Sequence, residues 1–474
     1  MEAVQLTEDQ RQLVQYRVDR NLLIRGEPGS GKTTVLAARA AHIEGAMFSG
    51  SILVIAYNRA LAGYIRRMLA EFGGSAKIDV HTFHGWARAF ADRLGYGPAR
   101  LVDRKERDAK LEEILRQMRP KWGRNHLVGE PTEFWSQEIE WIMGQGISSL
   151  DVYSNAVRTG RGTAVPVRGE DRQHVWDVFA AYHDWLTREN ACDIHDSGGM
   201  VKRAVLKADR KYPADLAYDH ILIDEVQDFD LSWLLALTPM ARVSITLAGD
   251  LGQRIYRRSF TWKAAGIDIS AAGSRELRGS HRTTRQIMQV AMAVSTNTDL
   301  KGDADFTAPC LPDRMGPRVS RIERSDDRIA EKAAAFRVAE LMRRYRGDSI
   351  CLAAPFNQRL VRLTNELSSA GVRALNAKGD DLAQLADGAV AVTTYHQLKG
   401  LEFDHVVLIR LDDSTMPGFF FNIKDSESEN EKEQFLRRLI YVAMTRARKS
   451  VTLVGSKPFS RFFNDVPWNT IEEI

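Results

Sequence analysis

The sequence predicts an α/β protein in which two parallel-sheet units follow one another and a helical insertion interrupts the first. Short apolar strands alternate with helices over the first 90 residues, a pattern typical of a parallel sheet covered by helices. From residue 91 the pattern becomes long and helical, the alternation then returns, and a second series of strands and helices follows. We therefore predict three domains with these limits: 1–90 and 207–276 for the first unit, 91–206 for the insertion and 277–474 for the second unit.

The first unit opens with a strand, a glycine-rich loop and a helix. The apolar run Leu22–Ile24 precedes Gly26–Thr33, which matches the phosphate-binding pattern G-x-x-x-x-G-K-T, and good helix formers follow. Glycines let backbone N–H groups face a triphosphate at a helix N-terminus, Lys32 reaches the outer phosphates, and the Thr33 hydroxyl ligates Mg²⁺. The loop predicts a nucleoside triphosphate site made by Gly26, Gly29, Ser30, Gly31, Lys32, Thr33 and Thr34.

The remaining strands of the first unit flank the insertion. We predict them at 51–57, 77–80, 218–223 and 243–247. Within the insertion, apolar residues recur at helical spacing, so its five tryptophans are predicted to be core residues rather than base-stacking ones: Trp122, Trp135, Trp141, Trp176 and Trp185. A basic, glycine-containing stretch at 158–172 fits a phosphate-backbone contact and a solvated linker equally well.

The second unit repeats the alternation. Its predicted strands lie near 318–322, 349–353, 371–375, 389–394, 405–409 and 450–454. Helices separate the first four. Two such units in tandem predict a ligand in the crevice between them, where the carboxyl ends of parallel strands meet.

A pair of carboxylates follows one apolar strand of the first unit. Asp224 and Glu225 come directly after Ile221–Ile223. In an ATPase, the first carboxylate holds Mg²⁺ through its water shell and the second accepts a proton from the attacking water. We therefore predict Thr33 and Asp224 as the Mg²⁺ residues and Glu225 as the general base.

Composition excludes several classes of protein. The chain of 474 residues is 44% hydrophobic and 27% charged, and no stretch of the sequence is apolar enough for a membrane span. Three distant cysteines support neither a disulfide framework nor a zinc ribbon. The N-terminus lacks the pattern of an export signal, so we expect a cytoplasmic protein without a membrane partner. A net charge of +4 permits nucleic-acid binding without requiring it.

Several motifs occur in the order of a known family. Asp224–Asp228 spells D-E-V-Q-D, and further motifs lie at 6–10, 55–60, 80–84, 247–256, 277–282, 395–403 and 440–448. Together they resemble superfamily 1A DNA helicases of the UvrD/Rep/PcrA type. The resemblance implies two RecA-like domains of the P-loop NTPase class, hydrolysis of ATP with Mg²⁺ between them, and single-stranded or tailed DNA as substrate.

The resemblance also assigns roles around the nucleotide. Gln10 matches the residue that recognises adenine, although Thr7 and Gln10 also fit a helical capping box, and one turn can serve both purposes. Gln253 matches the γ-phosphate sensor, and Arg282 and Arg446 match the two arginines that the second domain brings to the phosphoryl group. Two further matches are Glu402, for the ribose, and His281, which stands where relatives carry an aromatic ring that stacks on adenine.

DNA contacts follow from the same resemblance. The matching positions include Asn58, Thr82 and His396, and the aromatic candidates for base stacking are Tyr57, Phe83, Tyr256 and Trp262. Phe83 and Trp262 are the favoured stacking residues.

The chain departs from the larger relatives in one interval. Between Arg282 and His396 there is room only for the strands and helices of the second unit, whereas the larger relatives carry an additional helical insertion there. Two functions therefore stay open. The first is a 3′–5′ ATP-dependent DNA helicase and single-strand translocase. The second is a DNA-responsive ATPase subunit of a larger assembly, for example beside an antiphage nuclease as in Gabija-type systems.

Overall fold

A computed structural model gives the fold of the protein. The residues that the structure describes are 5–26, 29–46, 50–75, 77–158, 165–208, 214–249, 261–269, 273–277, 283–295, 311–356, 359–376, 389–398, 401–419 and 429–474.

The first ninety residues alternate strands and helices as predicted. Their elements are α1 (Glu8–Val14), β1 (Leu22–Gly26), α2 (Lys32–Ala46), β2 (Ile52–Ala56), α3 (Arg59–Glu71), β3 (Ile78–Thr82) and α4 (Phe83–Arg93). Polar side chains mark the starts of the helices: Asn58 Oδ1 accepts a hydrogen bond from the backbone N–H of Leu61 at 2.8 Å, and Thr82 Oγ1 accepts one from that of Gly85 at 3.3 Å.

The segment that follows is mainly helical. It comprises β4 (Arg100–Val102), α5 (Arg104–Met118), α6 (Thr132–Gln145), α7 (Leu150–Asn155), α8 (Glu170–Arg188), β5 (Ala191–Asp193) and α9 (Ser197–Lys207). The short strands β4 and β5 pair in parallel, which the sequence did not predict. Trp135 is fully buried, and the other four tryptophans pack against the same core. The helix α9 instead packs on α4 and contributes to the core of the first sheet.

The chain then returns to the first sheet through β6 (Tyr218–Ile223), α10 (Leu231–Leu237), β7 (Ala241–Gly249) and β8 (Ser274–Leu277). The strand order is β3-β2-β6-β7-β1-β8, and all neighbours run parallel. Alternate residues of the strands enter two cores, one beneath α1, α2 and α3 and the other beneath α4, α9 and α10. A sheet covered on both faces explains why its strands are apolar runs.

The second sheet has the same construction. Its elements are α11 (Arg285–Ser295), β9 (Val319–Arg324), α12 (Asp327–Arg344), β10 (Ile350–Ala354), α13 (Leu360–Ser369), β11 (Ala374–Asn376), β12 (Val390–Thr394), β13 (Phe403–Ile409), α14 (Glu429–Met444), β14 (Ala447–Ser456) and β15 (Ile471–Glu473). The order β11-β12-β10-β13-β14-β9-β15 is entirely parallel. Helices α11 and α14 cover one face, and α12 and α13 cover the other. The α/β prediction with two parallel sheets is confirmed.

In the described parts of the chain, no helix combines the length and the apolar character needed to cross a bilayer.

Candidate functional site

The carboxyl ends of the first sheet's strands bring the predicted site residues to one edge. All the strands are parallel, so their carboxyl ends lie at the same edge of the sheet. At this edge, β3 ends at Thr82, β2 ends beside Tyr57, β6 ends beside Asp224, and β1 ends at Gly26. This edge is where ligands bind in open α/β sheets. In the strand order, β6 lies between β2, which leads to Tyr57, and β7, and β1, which leads to the phosphate loop, lies on the other side of β7.

The phosphate loop has the backbone conformation that its glycines predict. Gly29 and Gly31 have φ of +83° and +86°, a left-handed region that other residues enter at a cost. A Cβ at Gly26 would lie 2.5 Å from Ser30 Oγ and 2.9 Å from the carbonyl oxygen of Leu277. The loop is thus closely folded against its own strand and against β8. The buried Ser30 hydroxyl has no hydrogen-bond partner among the described residues, which fits a loop built to receive a phosphate oxygen.

Lys32 and Thr33 lie in the first turn of α2. Lys32 Nζ is buried and donates to the carbonyl oxygen of Gly26 at 2.8 Å, so the ammonium group lies over the loop. Thr33 Oγ1 donates to Asp224 Oδ2 at 2.7 Å. These two residues are 191 positions apart in the chain. The pair predicted to hold Mg²⁺ is therefore in direct contact.

The donor set at Thr33 and Asp224 fits a magnesium ion. A hydroxyl and a carboxylate are the hard oxygen ligands that Mg²⁺ prefers. Burial, followed by the charge of neighbouring Glu225, raises the pKa of Asp224 to about 7, because two carboxylates in a buried site repel each other. A cation there offsets that repulsion. Among the described side chains, no group of three or more His, Cys, Asp or Glu residues is placed to hold a metal ion.

Glu225 is held in an unusual backbone conformation. Its φ and ψ are +51° and +41°, the left-handed region, in which a residue with a Cβ is strained. Its carboxylate accepts a hydrogen bond from Gln227 Nε2. A Cβ at Gly249, the last residue of β7, would lie 2.6 Å from Gln227 Oε1, so Gln227 also contacts the end of β7. Sequence reasoning gave Gln227 no role. Its place in the D-E-V-Q-D motif was the only available signal.

Gln10 forms the capping box that the sequence predicts as one of its two roles. Its Oε1 accepts from the backbone N–H of Thr7 at 3.0 Å, and its backbone N–H donates to Thr7 Oγ1 at 3.3 Å, which completes a capping box. Its Nε2 donates to the carbonyl oxygen of Ser30 at 3.0 Å. The start of α1 is therefore tied directly to the phosphate loop.

Arg39 connects α2 to α1 through hydrogen bonds that sequence reasoning missed. The side chain is fully buried on α2 and donates to the carbonyl oxygens of Leu13 and Val14 at 3.2 and 3.1 Å and to Thr246 Oγ1 at 3.1 Å. Burial lowers the pKa of Arg39 to about 10, so it stays charged at neutral pH. These bonds fix the end of α1, and with it Gln10, relative to the loop.

Comparison with known proteins shows the family of the chain. The UvrD/REP helicase N-terminal domain matches residues 6–274, and the UvrD-like helicase C-terminal domain matches residues 337–457. The chain belongs to the UvrD/REP helicase family. Members of this family are superfamily 1 DNA helicases that use ATP, and their two domains are RecA-like P-loop folds.

Individual relatives are distant. DNA helicase IV of Escherichia coli is 23% identical over 484 aligned residues, which cover 93% of this chain and 66% of the relative. The DNA helicase PcrA of Staphylococcus aureus is 24% identical over 350 residues, which cover 69% of this chain and 44% of the relative. The chain thus spans less than two thirds of the length of these helicases.

Two of the residues that match the family's DNA contacts also cap helices at the sheet edge. Asn58 is the N-cap residue of α3, and Thr82 is the N-cap residue of α4. Tyr57, directly after β2, has a side chain that is 40% exposed. These three residues therefore lie at the ends of two adjacent strands, on the β3 side of the Asp224 turn.

The prediction that Phe83 stacks on a base is wrong for this structure. Its side chain is 1% exposed, and its ring stacks on that of Trp233 with centroids 4.7 Å apart and planes at 12°. Both faces of a ring buried in this way are inaccessible to a nucleobase. Trp262 is half-buried and packs against the same core, and it retains a partly exposed surface.

The second sheet gathers another group of predicted residues at the start of β13 and β14. Glu402 accepts two hydrogen bonds from Arg448, from Nε at 3.0 Å and from Nη2 at 2.8 Å. Burial alone would lower the pKa of Arg448, but the carboxylate of Glu402 outweighs it and the pKa is raised. Arg448 is the last residue of the motif at 440–448, for which the sequence predicted no role of its own. Its contact makes it the partner of the residue expected to bind the ribose.

Arg446 lies between α14 and β14. It is 2% exposed, and its Nε donates to the carbonyl oxygen of Val442 at 3.0 Å. The exposed imidazole of His396 follows β12 and lies beside Phe435, with ring centroids 5.8 Å apart. Four predicted residues, Gln253, Tyr256, His281 and Arg282, lie outside the described residues.

Proposed function

We propose that this chain is an ATP-dependent helicase and translocase that moves 3′ to 5′ along single-stranded or tailed DNA. The observation that carries the proposal is the contact between Thr33 and Asp224, with Lys32 over the phosphate loop and Glu225 beside them. Family membership supports DNA as the substrate, and the polarity is that of the relatives that the sequence resembles.

The proposed hydrolysis uses residues of the first sheet. Lys32 and the backbone N–H groups of the loop bind the phosphates, and Thr33 and Asp224 hold Mg²⁺. When bound there, Mg²⁺ would supply positive charge that offsets the charge of the phosphate oxygens. Glu225 accepts the proton of the attacking water at its carboxylate, and Gln227 fixes the orientation of that carboxylate.

The proposed movement uses the second sheet. We divide the chain into two RecA-like domains, 1–90 with 207–276 and 277–474, and a helical domain at 91–206. Arg282 and Arg446 of the second domain then stabilise the transferring phosphoryl group, alongside the γ-phosphate contact of Gln253, so hydrolysis depends on domain closure. Glu402 binds the ribose from the same domain, with Arg448 holding its carboxylate.

Unwinding of tailed duplexes tests this proposal. The wild-type chain and Lys32→Ala are each given the same duplex with a 3′ tail, with a 5′ tail and with blunt ends. We expect ATP-dependent strand release by the wild type on the 3′-tailed duplex only. DNA-stimulated hydrolysis without strand release would instead favour the second candidate, an ATPase subunit acting beside a nuclease.

A further inference from the structure

We infer that Phe83 and Trp233 are positioning residues that join the DNA-contact turn at Thr82 to the carboxylate turn at Glu225. The inference rests on the proposed function, because it assumes that the first turn meets DNA and the second meets the nucleotide. It assigns a purpose to the aromatic ring that sequence reasoning placed against a base.

Three aromatic rings form one buried cluster. Phe83 stacks on Trp233 at 4.7 Å, Phe229 meets Trp233 edge to face at 5.4 Å and 80°, and Phe83 meets Phe229 at 6.3 Å and 69°. All three side chains are at most 6% exposed. Such pairs prefer stacked and edge-to-face geometries, and each adds to the energy of burial alone.

Short stretches of chain connect the cluster to both proposed ligands. Phe83 directly follows Thr82, which ends β3 and caps α4. On the other side, the carbonyl oxygen of Glu225 accepts from the N–H of Asp228 at 3.0 Å, and that of Val226 accepts from the N–H of Phe229 at 3.2 Å. One tight turn thus joins the proposed general base to the cluster.

The last helix of the insertion closes the cluster from outside. His84 Nδ1 lies 2.9 Å from Ser197 Oγ, and its ring meets that of Trp233 edge to face at 4.7 Å. A Cβ at Gly198 would lie 2.5 Å from the carbonyl oxygen of Ser232, so the backbones of α9 and α10 approach closely enough to require a glycine at this position. Helix α9 therefore contacts α4 beside Phe83 and α10 beside Trp233.

These contacts make the two turns mechanically dependent. A close-packed core does not deform continuously, so a shift of the Glu225 turn on nucleotide binding displaces Trp233 and Phe83 together. The displacement reaches Thr82 through the first turn of α4. By reciprocity, DNA held at Thr82 changes the position of Glu225. DNA stimulation of hydrolysis then depends on the ring contact between Phe83 and Trp233.

The test compares two leucine substitutions on the same helix. Phe83→Leu removes the ring that stacks on Trp233 and that also lies 5.8 Å from the ring of Trp86. Phe90→Leu removes another buried ring, which contacts Trp86 at 5.4 Å, and leaves both Phe83 and Trp233 in place. Trp233→Leu, which removes the other ring of the same stack, is the second variant at this contact. Thermal unfolding of all three verifies that they fold. Two quantities are measured: ATP turnover with and without single-stranded DNA, and backbone hydrogen exchange at 82–86 with and without the non-hydrolysable analogue AMP-PNP and Mg²⁺.

We expect Phe83→Leu and Trp233→Leu to reduce DNA stimulation by about 2- to 10-fold, the range that corresponds to one lost aromatic pair, while turnover without DNA is retained. In the wild type and Phe90→Leu, the analogue should slow exchange at 82–86, and in the two link variants it should not. Equal stimulation in Phe83→Leu and the wild type would overturn the link, and so would an equal loss in Phe90→Leu. A wild type that DNA does not stimulate would refute the proposed function, and the exchange measurement would still decide whether the two turns are joined.

Discussion

Gly31→Ala is a direct probe of how the phosphate loop is built. Gly31 has φ of +86°, and an added Cβ would lie 2.4 Å from Gln10 Nε2. The left-handed conformation costs an L-residue about 1–2 kcal/mol. Moving the Gln10 amide breaks its hydrogen bond to the carbonyl oxygen of Ser30, which costs about 1 kcal/mol more. We therefore expect a loss of about 2–3 kcal/mol in the free energy of unfolding.

A second glycine with a left-handed conformation separates these two contributions. Gly95 has φ of +78°, and a Cβ there would meet no atom within 4 Å. Gly95→Ala should therefore cost about 1–2 kcal/mol from conformation alone. Gln10→Ala removes the side chain that the new methyl group strikes, so adding it to Gly31→Ala should cost less than the sum of the single effects, by about 0.5–1.5 kcal/mol.

Urea unfolding and ATP binding of these variants form the assay. In addition to the stability loss, Gly31→Ala should weaken ATP binding at least tenfold, because a misplaced backbone N–H loses a charge-assisted hydrogen bond of about 1.5–3 kcal/mol. Gly95→Ala should bind ATP as the wild type does. If Gly31→Ala were no less stable than Gly95→Ala, and Gln10→Ala gave additive effects, the tie between α1 and the loop would be refuted.

Three further predictions address the chemistry and the pH dependence. Glu225→Gln should lower kcat of ATP hydrolysis by about 10²–10⁴-fold with little change in ATP affinity, and a kcat near that of the wild type would remove Glu225 from the role of base. Arg446→Ala should bind ATP but lose about 10²-fold or more in kcat, measured in single-turnover experiments, and unchanged turnover would contradict its role. Burial lowers the pKa of His84 to about 4, so the unfolded chain binds a proton at its ordinary pKa of 6.5, which the folded chain does not. Stability present above pH 6.5 is therefore lost as the pH falls toward 4. Between pH 7 and 5, the free energy of unfolding of His84→Asn, measured with urea, should fall by about 2 kcal/mol less than that of the wild type. Equal losses in the two proteins would contradict the burial of a neutral imidazole.

The sequence predicted the fold and the conformation of the phosphate loop because both depend on local patterns. The phosphate loop is a contiguous motif, and the contact between Thr33 and Asp224 follows once the strand order places β1 and β6 on the same parallel sheet. Gln10 was likewise predictable, since its capping box lies within one turn. Hydrophobic runs and short contiguous motifs were sufficient for these features.

The remaining features depend on packing between distant segments. Phe83 follows a strand end where an exposed aromatic was plausible, and only the position of α10 shows that Trp233 covers its ring. Arg39 has no motif, and its partners come from α1 and β7. The same holds for Gln227, which contacts the end of β7. That contact depends on β7 being the neighbour of β6 in the sheet, and the sequence does not predict the strand order.

The most direct test of the central claim is steady-state ATP hydrolysis with and without a single-stranded DNA oligonucleotide, by the wild type and by Lys32→Ala. Lys32 Nζ lies over the loop, 2.8 Å from the carbonyl oxygen of Gly26, where its charge offsets those of the phosphates. We predict turnover by the wild type that rises with DNA, and no turnover above background by Lys32→Ala under either condition. Equal turnover by the two proteins, or a wild-type rate that does not respond to DNA, would contradict the account of this chain as a DNA-dependent ATPase.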